Sequence, residues 1–332
     1  MNNSDKLSII LKVFKALVFK IKIPLAITWN ITYRCNLKCG YCGAHESRSV
    51  ELGTKKVFAV ISEFISLGTK FVKFSGGEPL LRDDIGEIVD YCSKQGLSIL
   101  MNSNGTLVKS KINEIKKISE MQLSLDGTKA VHDFIRGSGT FDKVIEAIEI
   151  CKNNGINVII TTVISRYNAS CIRFVVDLAE EYNIGIQFQP VEQLCSTNSS
   201  KDINFFFGLN ELEYKKIIVS IIEMKKNGKK SIQNSFSGLR HIYHWPHSRK
   251  VKCLLDLIHC HIEPDGRIFI CNEFRNYQRY LVKIQESYKK AFFSLSLPHR
   301  CAECWCSDSE YCMCADFKPD SIFEMYKRLK SQ

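Results

Sequence analysis

From about residue 24 onward, short apolar β-branched runs alternate with longer stretches in which apolar residues recur every three or four positions. The first pattern suits strands buried on at least one face, and the second suits amphipathic helices. Strands are expected at Leu25–Thr32, Phe71–Phe74, Ser98–Met101, Met121–Leu125, Val158–Ile164 and Ile186–Phe188. Helices are expected between them, for example at Lys55–Leu67, Asp84–Lys94, Phe141–Asn153 and Cys171–Tyr182. Gly68, Gly96 and Gly155 stand just before the next strand, where a helix C-cap favours a positive φ. Six such units predict an α/β fold, a partial (β/α)6 TIM-like barrel open on one side. In parallel α/β architectures the chemistry collects on the loops after the carboxyl ends of the strands.

The flanks read differently. After Pro190 the alternation stops: 192–203 is polar and loop-like, 209–228 is helical, and 232–250 is irregular. A cysteine-rich stretch runs to Cys314, and Ser321–Lys330 reads as a closing helix. The expected division is therefore 1–23, a basic amphipathic helix; 24–191, the barrel; 192–250, linker and helical segment; 251–316, a small cysteine-rich domain; and 317–332, a C-terminal helix. The leading segment 6–22 is apolar in part, but Lys12, Lys15 and Lys20 interrupt it and no small-residue cleavage site follows. Two placements stay open for that helix: packed against the barrel, or lying on a membrane surface.

The chain has 332 residues, 45% of them hydrophobic, enough for one large domain and a smaller one. Lys+Arg 46 against Asp+Glu 35 gives a formal charge of +11, which could serve an anionic partner. The lysines are spread along the chain rather than clustered, so a solubilising surface is the simpler reading and nucleic acid is not expected as a partner. Fifteen cysteines with no convincing signal peptide point to metal ligands in a reducing, cytoplasmic setting rather than to disulfides.

Cys35, Cys39 and Cys42 follow the first strand as C-x3-C-x2-C within RCNLKCGYC. Three thiolates on one short loop can hold three irons of a [4Fe–4S] cubane and leave the fourth iron open. Zinc competes for close cysteines, but structural zinc sites usually use two pairs, which this spacing does not match.

On these residues the sequence resembles the radical S-adenosylmethionine (SAM) superfamily over nearly its whole length. Tyr41, before the third cysteine, matches the aromatic position near the adenine. Ser75-Gly76-Gly77-Glu78-Pro79 after the second strand matches the family's glycine-rich segment at the methionyl amine. There glycine lets backbone approach the ligand, and a carboxylate or carbonyl can accept from an ammonium. Asn102-Ser103-Asn104-Gly105 and Ser124-Leu125-Asp126-Gly127 end the third and fourth strands, where the resemblance implies ribose or carboxylate contacts. Arg136, in HDFIRG, resembles an arginine that steadies that region. Asn-Gly and Asp-Gly are also ordinary turn formers, so these polar tips carry two readings.

Eight cysteines lie between 253 and 314: Cys253, Cys260, Cys271, Cys301, Cys304, Cys306, Cys312 and Cys314. The segment CLLDLIHCHIEPDGRIFIC resembles the start of a SPASM domain, the auxiliary-cluster extension of many radical SAM enzymes. Its Pro264-Asp265-Gly266 turn is expected between two strands that bring Cys260 and Cys271 together. The later run CAECWCSDSEYCMC departs from the usual pattern, since no cysteine follows Cys314; Cys306 could take that place. One or two auxiliary [4Fe–4S] clusters, or one cluster and a zinc, are compatible with this count.

The resemblance implies an enzyme that reductively cleaves SAM to a 5′-deoxyadenosyl radical and abstracts hydrogen from a substrate. It is similar to the peptide- and cofactor-maturation branch that includes the pyrroloquinoline quinone pathway enzyme. A peptide substrate and an electron donor such as flavodoxin or ferredoxin are the expected partners. About 24 residues precede the first strand, so no fused leader-binding domain is expected there, and the Lys-rich start admits a lipid or other small-molecule substrate and peripheral membrane contact. Two rivals are a non-catalytic iron–sulfur protein and an RNA-modifying relative. The first would not need Gly76, Gly77 and Glu78, and the second lacks a recognisable RNA-binding extension. His241, His244 and His247 form H-x2-H-x2-H, but Pro246 opposes a regular helix there, and Cys92, Cys151 and Cys171 read as small core residues with Cys195 in a loop.

Overall fold

The computed structural model describes residues 3–47, 49–191, 208–245, 247, 255–270, 287–296 and 318–331. Six parallel strands come first: β1 (Ala26–Thr32), β2 (Phe71–Gly76), β3 (Ser98–Ser103), β4 (Glu120–Ser124), β5 (Asn157–Ile164) and β6 (Gly185–Pro190). Each is paired with the next in sequence. Helices α2 (Thr54–Ser66), α3 (Ile85–Lys94), α4 (Val108–Ile115), α5 (Lys129–Arg136), α6 (Thr140–Asn153) and α7 (Ile172–Glu181) lie between them. All six expected strands and the four expected helices are present, with ends moved by a residue or two. The short helices α4 and α5 add to that expectation: each has only eight residues, too few to establish a period.

One face of the sheet is apolar. Ile27, Trp29 and Ile31 of β1, Val72 and Phe74 of β2, Met101 of β3 and Leu123 of β4 are buried in one continuous core beneath the helices. Register carries this across strands: Trp29 lies beside Phe74, Phe74 beside Met101, and Met101 beside Met121. Most alternate positions are polar, including Thr28, Asn30, Ser75, Asn102, Gln122, Thr161 and Gln187, with Leu100, Ile159 and Val163 the apolar exceptions in β3 and β5. A parallel sheet normally buries apolar residues on both faces, so this largely polar second face departs from a plain packing surface.

Beyond β6 come α8 (Glu211–Lys226) and α9 (Phe236–Ile242), then α10 (Leu255–Ile258), β7 (His259–Ile262), β8 (Ile268–Phe269), α11 (Tyr288–Ser294) and α12 (Pro319–Ser331). The stretch 232–250, expected to be irregular, contains α9: Ser235 caps it by accepting from the Gly238 amide at 2.8 Å. Ser235 also meets Ser321 at 2.8 Å, and Asp320 accepts from the Ser237 amide at 2.6 Å, which seats the closing helix.

The Pro264-Asp265-Gly266 turn does join two antiparallel strands, β7 and β8. That hairpin is not separate from the barrel, however. β7 pairs in parallel with β1, giving the sheet order β6-β5-β4-β3-β2-β1-β7-β8. The described start of the cysteine-rich region thus extends the main sheet, a placement that no local pattern could reveal.

The N-terminal helix α1 (Asn3–Phe19) lies against the amino-terminal end of the sheet. Ile9 and Ala16 are buried with Leu25, Leu257 and Ile258, and the Lys12 ammonium donates to the Gly68 carbonyl at 3.0 Å. Among the described residues no helix is long and apolar enough to cross a membrane.

Candidate functional site

The loop after β1 carries all three motif cysteines. Arg82, 4% exposed, pins its root: the guanidinium donates to the Ile31 carbonyl at 3.1 Å, the Leu52 carbonyl at 3.0 Å and the Asp84 carboxylate at 2.7 and 2.8 Å. Tyr33 is fixed from the other side, accepting from Asn30 at 3.1 Å and donating to Glu263. Within the loop the Cys42 amide donates to the Cys39 carbonyl at 3.0 Å. Burial pushes the Cys35 thiol up to about 11 and raises Cys39 despite the nearby Arg136 cation. As free thiols they hold their protons at neutral pH, and a metal that binds them must displace those protons.

The glycine-rich tip of β2 presses against that loop. The Gly77 amide donates to the Thr32 carbonyl and the Glu78 amide to the Arg34 carbonyl, both at 2.8 Å. A Cβ on Gly76 would come 2.2 Å from the Thr32 oxygen, and one on Gly77 2.2 Å from the Arg34 oxygen. Gly76 also has φ +113, outside the range that residues with a side chain readily adopt. The glycines therefore let β2 seat the cysteine loop, a closer constraint than the expected approach to a ligand.

Glu78 departs from expectation in the same way. It is fully buried, and its carboxylate accepts from the Leu80 amide at 3.2 Å, the Ser103 hydroxyl at 3.0 Å and the Asn104 amide at 2.8 Å. Those donors occupy it, so the carboxylate locks the β2 tip to the β3 tip. Burial pushes its carboxyl up to about 7, against the pull of those donors. Pro79 is buried at the start of the single helical turn that follows.

Beyond Ser103, the Asn104 side chain reaches the cysteine loop. Its amide nitrogen donates to Asn36 at 2.9 Å and lies 4.0 Å from the Cys35 sulfur, while its oxygen accepts from the Thr106 amide at 3.0 Å. Asn36 and Thr106 are hydrogen-bonded to each other at 2.8 Å, and neither stands out in the sequence. They have no motif spacing of their own and acquire a role only through the β1–β3 juxtaposition.

On the opposite flank Asp126 and Arg136 meet. Arg136 donates from Nε to Asp126 at 2.6 Å and from Nη2 to the Tyr41 hydroxyl, and its Nη1 is 3.9 Å from the Cys39 sulfur. Asp126 also accepts from the Val163 amide at 3.1 Å and from Tyr41 at 3.2 Å. The guanidinium lies over the Tyr41 ring, 5.5 Å from its centroid. The Asp126 amide donates to His132 Nδ1 at 3.2 Å, and burial lowers His132 to about 4, so its ring is neutral. Arg136 and Asp126 thus hold each other, Tyr41 and the edge of the cysteine loop. Ser124 ends β4 on the polar face, beside Thr161.

Several expected residues fall elsewhere. Cys260 is fully buried in the apolar core, paired with Ile27, and burial raises its thiol strongly. Neighbouring His259 points to the other face, toward Thr28 at 3.0 Å, so strand alternation turns Cys260 into the core. This corrects its expected role as an auxiliary-cluster ligand. Cys253, Cys271, Cys301, Cys304, Cys306, Cys312 and Cys314 lie outside the described residues, as do Cys195 and Pro246. Cys92, Cys151 and Cys171 are buried and free, as small core residues should be. His241 is buried in α9, whereas His247 is exposed and pairs with Glu211 at 2.9 Å, so the three histidines do not converge.

Residues 29–179 match the Radical SAM superfamily. The chain carries a radical SAM domain. Its relatives include the Fe-coproporphyrin III synthase of Methanosarcina barkeri, 35% identical over 175 residues (50% of this chain and 43% of that one). The mycofactocin maturase of Mycolicibacterium smegmatis is 33% identical over 168 residues, 48% of this chain and 42% of that one. The chain spans less than half the length of either. Among solved structures, anSMEcpe with bound AdoMet superimposes with TM-score 0.64 at 22% identity, covering 82% of this chain and 80% of that one. Streptococcus suis SuiB bound to S-adenosylmethionine gives 0.63 at 17%, covering 85% and 69%. These two likenesses establish the fold, the TIM-like barrel expected from the sequence.

The radical SAM family uses a [4Fe–4S] cluster and SAM, and the residues of this domain fit them. Three thiols share one loop, polar N–H groups approach two of the sulfurs, and backbone glycines hold that loop in place. Among the described residues no three Cys, His, Asp or Glu side chains converge as ligands of a single ion. A cubane does not ask for that, because each thiolate takes a different iron.

Proposed function

We propose that the protein is a radical SAM maturase that abstracts hydrogen from a peptide substrate. The observation that carries this reading is the loop of Cys35, Cys39 and Cys42 held between Asn104 on one side and Arg136 on the other. When bound, the cluster supplies the electron that cleaves SAM to a 5′-deoxyadenosyl radical. The chain's own residues do the rest. The three thiolates hold the metal, and Asn104 and Arg136 bring N–H groups toward two of the sulfurs, a contact that tunes such clusters. Tyr41 is fixed by Arg136 and Asp126 beside that loop, Ser103 holds Glu78 behind it, and Ser124 with the polar face of the sheet lines the approach for SAM and substrate.

The peptide assignment is supported by the mycofactocin maturase among the relatives and by solved structures of SuiB with precursor peptide SuiA and of anSMEcpe with the Kp18Cys peptide. A second reading, a tetrapyrrole-like small molecule, is favoured by the Fe-coproporphyrin III synthase and by the AdoMet-dependent heme synthase of Methanosarcina barkeri, 31% identical over 214 residues. With Cys260 in the core, seven of the eight C-terminal cysteines remain as ligands for one or two auxiliary clusters. A flavodoxin or ferredoxin would deliver the electron in the cytoplasm.

The test is anaerobic. Protein reconstituted with iron and sulfide is given dithionite and SAM, then peptide or tetrapyrrole in separate reactions. Wild type should release 5′-deoxyadenosine, faster with the true substrate, and Cys39→Ala should release none. Cleavage by Cys39→Ala at the wild-type rate would remove the cysteine loop from the mechanism.

A further inference from the structure

Helix α1 uses only one of its faces against the barrel. Ile9, Val13 and Ala16 belong to the cluster around Leu25. On the other side Leu11, Phe14 and Val18 form a stripe at helical spacing, continued by Phe19, the last residue of the helix, and by Ile21 just beyond it. These five are each 46–63% exposed. Past the helix, Lys22 donates to the carbonyl of Phe293 at 3.1 Å. Surface Leu, Phe and Ile scattered singly are ordinary, but five along one helix and its C-terminal end are not.

Charge identifies what the band fits. From residue 6 to residue 22 the only ionisable side chains are lysines, at positions 6, 12, 15, 20 and 22. Lys15 and Lys20 are exposed at the border of the apolar band. A second copy of the chain docking face to face would bring like charges together. A bilayer with anionic headgroups pairs with them and takes up the aromatic and aliphatic side chains below the headgroup level. We propose that α1 docks this protein on an anionic membrane surface.

The geometry gives that docking a consequence. The helix sits against Leu25, just before β1, whereas the cysteine loop follows Thr32 at its other end. A seven-residue strand is about 23 Å long, so the barrel mouth faces away from the bilayer. Membrane attachment would then leave the site open to substrate in solution. This inference stands on α1 alone and does not depend on the chemistry proposed above.

The experiment is flotation of the full chain with vesicles of phosphatidylcholine, alone or with about one third phosphatidylglycerol. Wild type should float with the anionic vesicles only, and less at about 0.5 M salt than at about 0.1 M. Phe14→Ser/Phe19→Ser should stay in the soluble fraction with an unchanged thermal melt, since both side chains are exposed. Lys15→Gln/Lys20→Gln should bind about thirtyfold more weakly, from roughly 1 kcal/mol per lysine at such a surface. Three results would each overturn the proposal: no flotation, equal binding to neutral vesicles, or a solution dimer that the phenylalanine variant abolishes.

Discussion

Asp126 and Arg136 form an ion pair whose side chains are 0% and 8% exposed, between the cysteine loop and β5. Removing one member of a buried pair costs about 3–5 kcal/mol, because the remaining charge has lost both water and partner. Asp126→Asn and Arg136→Met should each shift the unfolding equilibrium of the metal-free, reduced protein by about a hundredfold to a few thousandfold. The double variant should not show the sum. An asparagine in place of Asp126 can still accept from the Val163 amide and can donate to the Tyr41 hydroxyl, while methionine fills the space of the guanidinium. Its cost should fall below about 2 kcal/mol, giving a coupling energy of about 4 kcal/mol or more. Urea unfolding followed by tryptophan fluorescence and circular dichroism measures this, with coincident transitions as the condition for the arithmetic. Trp29 is a suitable reporter, fully buried in β1 next to the loop. Additive single costs would show that the two charges do not act as a pair, and the account of how Arg136 is held beside Cys39 would fail.

Glu78 predicts a pH dependence. Its folded carboxyl stands at about 7 against an ordinary 4.5, so between those values the folded state keeps a proton that the unfolded chain has released. Stability of the metal-free protein should therefore be highest below about pH 4.5 for this group and fall by about 3 kcal/mol as pH rises through 7. Glu78→Gln should flatten that part of the profile in thermal melts at pH 5 and pH 8; an unchanged slope would refute it. Cys260→Ala should leave the iron content of the reconstituted protein unchanged while lowering stability by about 1 kcal/mol. Loss of a cluster's worth of iron would return Cys260 to the ligand set.

Much of this molecule is legible in the chain itself. Strand positions follow from apolar β-branched runs, because the pattern of burial is written locally at period two or 3.6. The cysteine loop is legible for a similar reason: three thiols within eight residues are neighbours wherever the chain goes. What each polar residue does is not. Glu78 reads as a ligand group, yet it spans β2 and β3 and is consumed by the Leu80, Ser103 and Asn104 donors. Arg136 reads as a residue that steadies the SAM-binding region. Its reach to Cys39, 97 residues away in the chain, depends on β4 and α5 bringing Asp126 and Arg136 to the β1 loop.

Cys260 gives the sharpest division. In the sequence it is one of eight C-terminal cysteines, and composition alone makes them equivalent. Pairing of β7 with β1 sets its side chain on the core face beside Ile27, while His259 and His261 take the other face. A one-residue change of register would exchange those faces, and only the tertiary pairing fixes it. The sequence by itself thus determined the strand–helix alternation and the cysteine loop, which depend on near neighbours. The tertiary structure decided which polar groups face the site and which lock the scaffold, because that depends on partners distant along the chain.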